Sequence, residues 1–383
     1  MRFSRITLTN WKNFTSADVA LPNRAFLIGP NASGKSNFLD AFRFLRDLAV
    51  AGGGLQRACD MRGGVSKIRC LAARKPPGVG IKVELDDDGN TWSYELVFKQ
   101  RTQFPASPVV ESEMVKRNGE ILLSRPNDDD RRDERLLIQT ALEQIYANKA
   151  FRAAADHFAK ISYLHLIPQM IRDSTTFPRE FDLPDMYGGH FLERIARTHE
   201  RTRKAWLRRI SELLKIVVPQ LEKFDLQIDD RGIPHLVATY KHWRPSAGLQ
   251  NETQFSDGTL RLIGLLWMLQ EGAGLLLMEE PELSLHKGVI SQLAPFIHKA
   301  QMRAKDSPRQ VLISTHSVDL LSDSGIDASE LILFQPTEAG TKLRVGAEIA
   351  EVVALMESGM SAGDAALPYT QSPDVEQMRL FEL

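Results

Sequence analysis

No feature of this chain constrains its fold more than Gly29-Pro30-Asn31-Ala32-Ser33-Gly34-Lys35-Ser36. The apolar run Ala25-Phe26-Leu27-Ile28 before it reads as a buried strand, and residues from Ser36 to about Val50 read as a helix that Ala51-Gly52-Gly53-Gly54 ends. A strand, a glycine-containing turn and a helix in that order leave the first backbone N–H groups of the helix without intrahelical partners. Together with the positive end of the helix dipole, they cradle phosphate oxygens, and glycines are needed where the ligand nears the backbone. In the pattern G-x-x-x-x-G-K-[ST], Lys35 reaches the β and γ phosphates and Ser36 sets its hydroxyl on Mg²⁺.

Kinases, GTPases and motor ATPases all carry such a loop, and the C-terminal third of the chain narrows the choice. Leu275-Leu276-Leu277-Met278-Glu279-Glu280-Pro281-Glu282 reads as a buried strand ending in adjacent carboxylates. Phosphoryl transfer to water needs one acid to hold Mg²⁺ and another to orient or deprotonate the attacking water. Val311-Leu312-Ile313-Ser314 is a further strand, ending in Thr315-His316-Ser317, where His316 is placed to sense or polarise the γ phosphate. Between these stands Phe255-Ser256-Asp257-Gly258-Thr259-Leu260-Arg261, leading into the apolar helix 262–270. Ser256 and Gly258 at a helix N-terminus make a second anion site, and two such sites suggest two protomers sharing one nucleotide.

The rest of the chain is less specific. Residues 2–8 and 17–21 read as strands, and residues 80–85 and 91–99 as a hairpin around Asp86-Asp87-Asp88-Gly89-Asn90. Residues 128–214 read as mainly helical, interrupted by Pro168, Pro178 and Pro184. The run from Arg194 to Lys215, with Arg197, Arg201, Arg203, Lys204, Arg208 and Arg209, reads as one amphipathic helix with a basic outer face. That face is a solvated surface or docks nucleic acid or a partner. The total charge argues against a generic nucleic-acid binder, since 48 Lys+Arg stand against 49 Asp+Glu among 383 residues. Only two cysteines occur, Cys59 and Cys70, so neither a disulfide framework nor a four-thiolate zinc site can be built, which fits a reducing, cytoplasmic setting. His165, His235 and His242 lack zinc-ligand spacing, and Trp206 and Trp243 read as core or interface anchors. No signal peptide and no membrane span are expected, because the apolar stretches near 262–278 are broken by Gln270, Glu271 and Gly272.

The order of these motifs resembles the ABC-type ATPases of the SMC, RecF and OLD group, most closely the stand-alone ATPases of the AAA15 and AAA21 type. The resemblance rests on Ile6-Thr7-Leu8-Thr9-Asn10-Trp11-Lys12-Asn13-Phe14, then Gly29 to Asn37, Phe255 to Arg261, Met278 to Leu283 and Ser314 to Ser317. It implies an α/β P-loop ATPase head with a mixed sheet, an N-terminal antiparallel β portion and a helical insertion lobe. The expected division is 1–127 and 250–335 for the head, 128–249 for the helical lobe and 336–383 for a C-terminal extension. The resemblance also implies a head-to-tail homodimer, in which ATP bound by Gly29, Pro30, Asn31, Ala32, Ser33, Gly34, Lys35, Ser36 and Asn37 of one chain is closed by Ser256 and Gly258 of the other. Ser36 and Glu279 then hold Mg²⁺, while Glu280, His316 and Lys35 act on the phosphates. Lys12 and Asn13 approach the nucleotide as in relatives, and Gln139, Gln144 and Gln169 are candidates for the glutamine loop. Glu279 stands where many relatives have Asp. Long coiled-coil arms do not fit between the two halves, and too few residues follow His316 for the nuclease domain of OLD-type relatives. The reading is therefore an ATP-dependent switch controlling a separately encoded nuclease or toxin in defence against phage or foreign DNA. A RecF-like DNA-repair clamp and a non-hydrolysing nucleotide-sensing scaffold are the alternatives.

Overall fold

The computed structural model describes residues 1–73, 78–101, 107–174, 187–241, 248–302 and 308–370. Pro178, Pro184, His242 and Trp243 lie outside them, as do residues 371–383 of the C-terminal extension. Two compact units make up the chain: a first of Met1–Ser162, Ala273–Leu277 and Gln301–Leu383, and a second of Tyr163–Gly272 and Met278–Ala300.

In the first unit, a six-stranded sheet runs in the order Phe14–Ala20, Arg2–Trp11, Val79–Asp87, Asn90–Gln100, Pro108–Arg117, Glu120–Arg125. Every neighbouring pair is antiparallel. Alternation sets its register: Ile6 and Leu8 of one strand and Trp92, Tyr94, Leu96 and Phe98 of another are all buried, and the first strand shifts register between Phe3 and Arg5. The second sheet has the order Gly340–Val345, Leu331–Thr337, Arg24–Ile28, Val311–Thr315, Leu276–Glu279, Ser162–Leu164, with only Leu276, Leu277 and Ser162 of its last two strands belonging to this unit. Arg24–Ile28 pairs in parallel with both its neighbours, and all five of its residues are buried. That is why the strand reads as an unbroken apolar run and not as an alternation.

Lys35–Ala49, the helix after the loop, is buried around most of its circumference. Phe38 meets Phe14 of the antiparallel sheet at 6.3 Å and Phe334 of the other at 5.6 Å, and Phe44 stacks on Phe98 at 5.2 Å. Each such ring contributes about 1.5–3 kcal/mol by leaving water, so the helix carrying the loop is held on two sides. Charges on the same helix are neutralised in place: Asp40 pairs with Lys12 at 2.8 Å and Arg62 at 2.9 Å, and Asp47 with Arg62 at 3.0 Å.

The second unit departs from the mainly helical lobe expected over 128–249. Residues up to Ser162 belong to the first unit, and Leu221–Ile228, Pro234–Tyr240 and Leu249–Asn251 form an antiparallel sheet. Its period-two pattern, with Leu236 and Ala238 facing in, is diluted by charged and polar neighbours and so is easily missed. The basic run is likewise two helices, Phe191–Arg197 and Glu200–Val217. Thr198 is extended between them, and the Arg203 guanidinium donates to the carbonyl of Ala196 at 2.7 Å, capping the first helix. Trp206 packs edge-on against the fully buried Trp267, with ring centroids 5.0 Å apart. Among the described residues no helix is long and apolar enough to cross a membrane.

Candidate functional site

In the first unit, the loop geometry follows from two close approaches. A Cβ on Gly29 would lie 2.8 Å from both Cβ and the carbonyl of Phe334, and Gly34 sits at φ +99°. Neither position admits a larger residue without strain. Pro30, Asn31 and Ala32 form the outer arc, Ala32 being left-handed at φ 61°, and Ser33 closes a turn by donating its N–H to the carbonyl of Pro30 at 3.2 Å. Lys35, only 6% exposed, opens the helix; its ammonium donates to the carbonyls of Gly29 at 2.8 Å and Pro30 at 3.1 Å. Ser36 is exposed at the helix start, where the backbone N–H groups have no intrahelical acceptor. The Ser33 hydroxyl is buried without a hydrogen-bond partner among the described residues. A glycine-lined arc, a lysine and the open end of a helix together fit a polyphosphate.

Asn13 holds the arc from behind. Its side chain accepts from Asn37 and donates to the carbonyl of Ala32 at 3.4 Å, while Trp11 donates its indole N–H to the carbonyl of Asn37 at 2.8 Å. Asn37 is therefore engaged with the loop's support. Lys12 pairs with Asp40 of the helix that follows the loop, at 2.8 Å. Thr315 is in register with Ile28, so His316, half-buried, leaves the sheet beside Gly29.

The second unit carries the carboxylates and the second helix terminus. Glu279 ends the strand Leu276–Glu279 and accepts a hydrogen bond from the Tyr163 hydroxyl. Glu280 follows at φ 44°, a conformation that costs a non-glycine residue free energy and is characteristic of functional sites. Burial lowers the affinity of Arg261 for its proton, while Asp257 and Glu280 draw it the other way. Ser256 caps the helix Asp257–Gln270, its hydroxyl accepting from the Thr259 N–H at 3.2 Å. A Cβ on Gly258 would lie 2.5 Å from the carbonyl of Ser284, so this glycine answers a close backbone approach. Arg172 bridges the carbonyl of Phe255 at 2.7 Å and the carboxylate of Asp257 at 2.6 Å. Tyr163 and Arg172 belong to no motif and lie far from their partners in sequence, so nothing in the chain announces them.

Of the glutamine candidates, Gln169 lies on the short helix Pro168–Arg172, just past the strand Ser162–Leu164 that neighbours Leu276–Glu279 in the sheet order, and it donates to Asp173. Gln139 gives its carbonyl to Arg125 at 2.8 Å, and the Gln144 carbonyl accepts from the Asn148 N–H at 3.0 Å. His235 is held by Glu252 at 2.7 Å and Asp229 at 3.6 Å, and no group of His, Cys, Asp and Glu suited to a metal occurs among the described residues.

The family described as "AAA domain, putative AbiEii toxin, Type IV TA system" matches residues 24–323, which takes in every motif from the loop to His316. The chain belongs to this AAA_21 family. It is a P-loop ATPase family, which implies ATP and, as a rule, Mg²⁺ as ligands. Two solved SMC heads share the α/β fold of this family member. One is the SmcHead bound to the C-winged helix domain of ScpA, at 16% identity and a TM-score of 0.52 over 90% of this chain and 98% of that one. The other is the Smc head domain with an extended coiled coil bound to the C-terminal domain of ScpA, derived from Pyrococcus furiosus, at 12% identity and a TM-score of 0.50 over 93% and 99%. Endonuclease GajA of Bacillus cereus (strain VD045) is 44% identical over 50 residues, which is 13% of this chain and 9% of that protein.

Proposed function

We propose that the protein binds and hydrolyses ATP, that ATP closes two copies head to tail, and that closure controls a separately encoded nuclease or toxin in defence against foreign DNA. The observation that carries the reading is the phosphate loop, with Gly29 pressed on Phe334, Gly34 left-handed and Lys35 at the helix start. Lys35 leaves its loop carbonyls for the β and γ phosphates; Ser36 and Glu279 are the residues that would hold Mg²⁺, which would neutralise charge on the transferred phosphoryl group. Glu280 takes the proton of the attacking water and His316 donates toward the γ phosphate. Ser256, Gly258 and the helix behind them receive the phosphates of the partner copy. The family description, which names a toxin, and the short match to an endonuclease support the effector and the defence role.

The test is the mass of the Glu280→Gln variant in solution with and without ATP and Mg²⁺. Blocking turnover traps the closed state, so the mass should double with nucleotide and return to that of the monomer on its removal. A mass independent of ATP sinks the shared site.

A clamp that grips DNA directly is the second reading, favoured by Arg201, Arg208, Arg209 and Lys215, all exposed along Glu200–Val217. The face is weaker than its sequence suggests, because Arg194 pairs with Glu271 at 2.7 Å, Lys204 with Glu200 at 2.6 Å and Arg208 with Glu212 at 4.0 Å. This reading expects ATP-dependent DNA binding that weakens steeply with salt and is lost when Arg208 and Arg209 become Glu. An absence of binding at low salt removes it.

A further inference from the structure

We propose that Thr341 is a positioning residue that sets the direction of the phosphate loop's amides, an inference that rests on reading the loop as the nucleotide site. Thr341 is 4% exposed and stands at the start of the edge strand Gly340–Val345, beyond the residues 24–323 that the family covers. Its hydroxyl donates to the carbonyl of Ser33 at 2.8 Å, across 308 residues of sequence. Its backbone N–H donates to the carbonyl of Asn13 at 2.8 Å. The hairpin reaches the loop through Leu331–Thr337, which pairs in parallel with the strand feeding the loop, Leu333 opposite Ile28. Gly340, at φ +109°, lets the chain come close, since a Cβ there would lie 2.7 Å from the carbonyl of Asn13.

A trans peptide is planar, with its C=O and N–H pointing in opposite directions. Holding the Ser33 carbonyl toward Thr341 therefore turns the Gly34 N–H away from the sheet edge and toward the side of the arc where a phosphate lies. Gly34, at φ +99°, could otherwise swing freely. The neighbouring peptide is fixed separately, its Ala32 carbonyl accepting from Asn13 at 3.4 Å and its Ser33 N–H donating to the carbonyl of Pro30 at 3.2 Å. Thr341 thus touches no phosphate and acts through the backbone of the loop.

Two substitutions separate the hydroxyl from the packing it brings. Thr341→Val keeps the shape and removes the donor, whereas Thr341→Ser keeps the donor and removes a methyl group. Equilibrium binding of a fluorescent ATP analogue, with and without Mg²⁺, should show the dissociation constant rising about tenfold in Thr341→Val, as expected for a buried carbonyl left unpaired, and staying within about twofold of wild type in Thr341→Ser. Thermal unfolding of each variant without nucleotide checks that the fold is kept. Should Thr341→Val fail to fold, Thr341→Ala against Thr341→Ser makes the same comparison. Equal affinity in Thr341→Val and wild type, or an equal loss in Val and Ser variants, overturns the inference alone. A wild-type protein that takes up no nucleotide overturns the functional reading and this inference with it.

Discussion

Glu280→Gln is expected to lower ATP turnover by about 10²–10⁴-fold, the usual contribution of a general base, while nucleotide binding stays intact. The amide keeps the size of the side chain and its hydrogen-bonding reach, but it cannot accept a proton from water. Glu280 follows four residues of strand whose first three are buried, and its left-handed φ of 44° turns the chain immediately after the sheet. Backbone free energy is spent at this residue where an ordinary loop residue would relax it. Turnover by Glu280→Gln within about twofold of wild type would remove the carboxylate from the mechanism. An equal loss of binding and turnover would instead assign it to holding the nucleotide.

Asp40→Asn is the substitution expected to cost most in stability, about 3 kcal/mol, because it leaves Lys12 without its counter-charge and the buried Arg62 with Asp47 as its remaining carboxylate partner. The Asp40 side chain is 8% exposed, and Arg62 and Lys12, its partners, are 6% and 21% exposed. Burial alone would raise the affinity of Asp40 for a proton; Arg62 first, then Lys12, a hydrogen bond from Arg62 and the charge of Arg43 reverse this and hold its pKa at about 2 against an ordinary 3.8. The folded chain therefore releases this proton more readily than the unfolded one. Its contribution to stability is complete above pH 3.8 and is lost as the pH falls through about 2. Urea unfolding across that range should show wild type losing stability more steeply than Asp40→Asn. Parallel curves for the two proteins would show that the carboxylate is not engaged as described. Since Asp40 lies on the helix that begins at Lys35, loosening it also loosens the loop.

The candidate residues are legible in the sequence where their surroundings are local, and their partners are not. Gly29 to Ser36 carried their own explanation, because strand, turn and helix are contiguous and each residue's role depends on its immediate neighbours. The same holds for Ser256 capping its own helix and for the carboxylates at the end of a buried strand. The partner of Lys12 is not legible: Asp40 comes from the helix beyond the loop, and no spacing in the sequence announces the pair. The basic helix shows another limit. Its charge is plain in the sequence, yet Glu271, from elsewhere in the fold, takes up Arg194, and the Ala196 carbonyl of the preceding helix takes up Arg203.

What the chain determined by itself were the features made from adjacent residues: an apolar strand running into a glycine turn, a helix start, and acids placed directly after a strand. Their physics is local, set by backbone conformation and by hydrogen bonds spanning a few positions. What tertiary structure alone decided were the supports: Phe334 pressed on Gly29, Thr341 on the carbonyl of Ser33, Tyr163 on Glu279, and Arg172 on Asp257. In each pair the partners are 85 to 308 residues apart. A hydrogen bond between such residues leaves no periodicity, composition or spacing in the sequence, because it exists only once the sheets have formed and brought the two together.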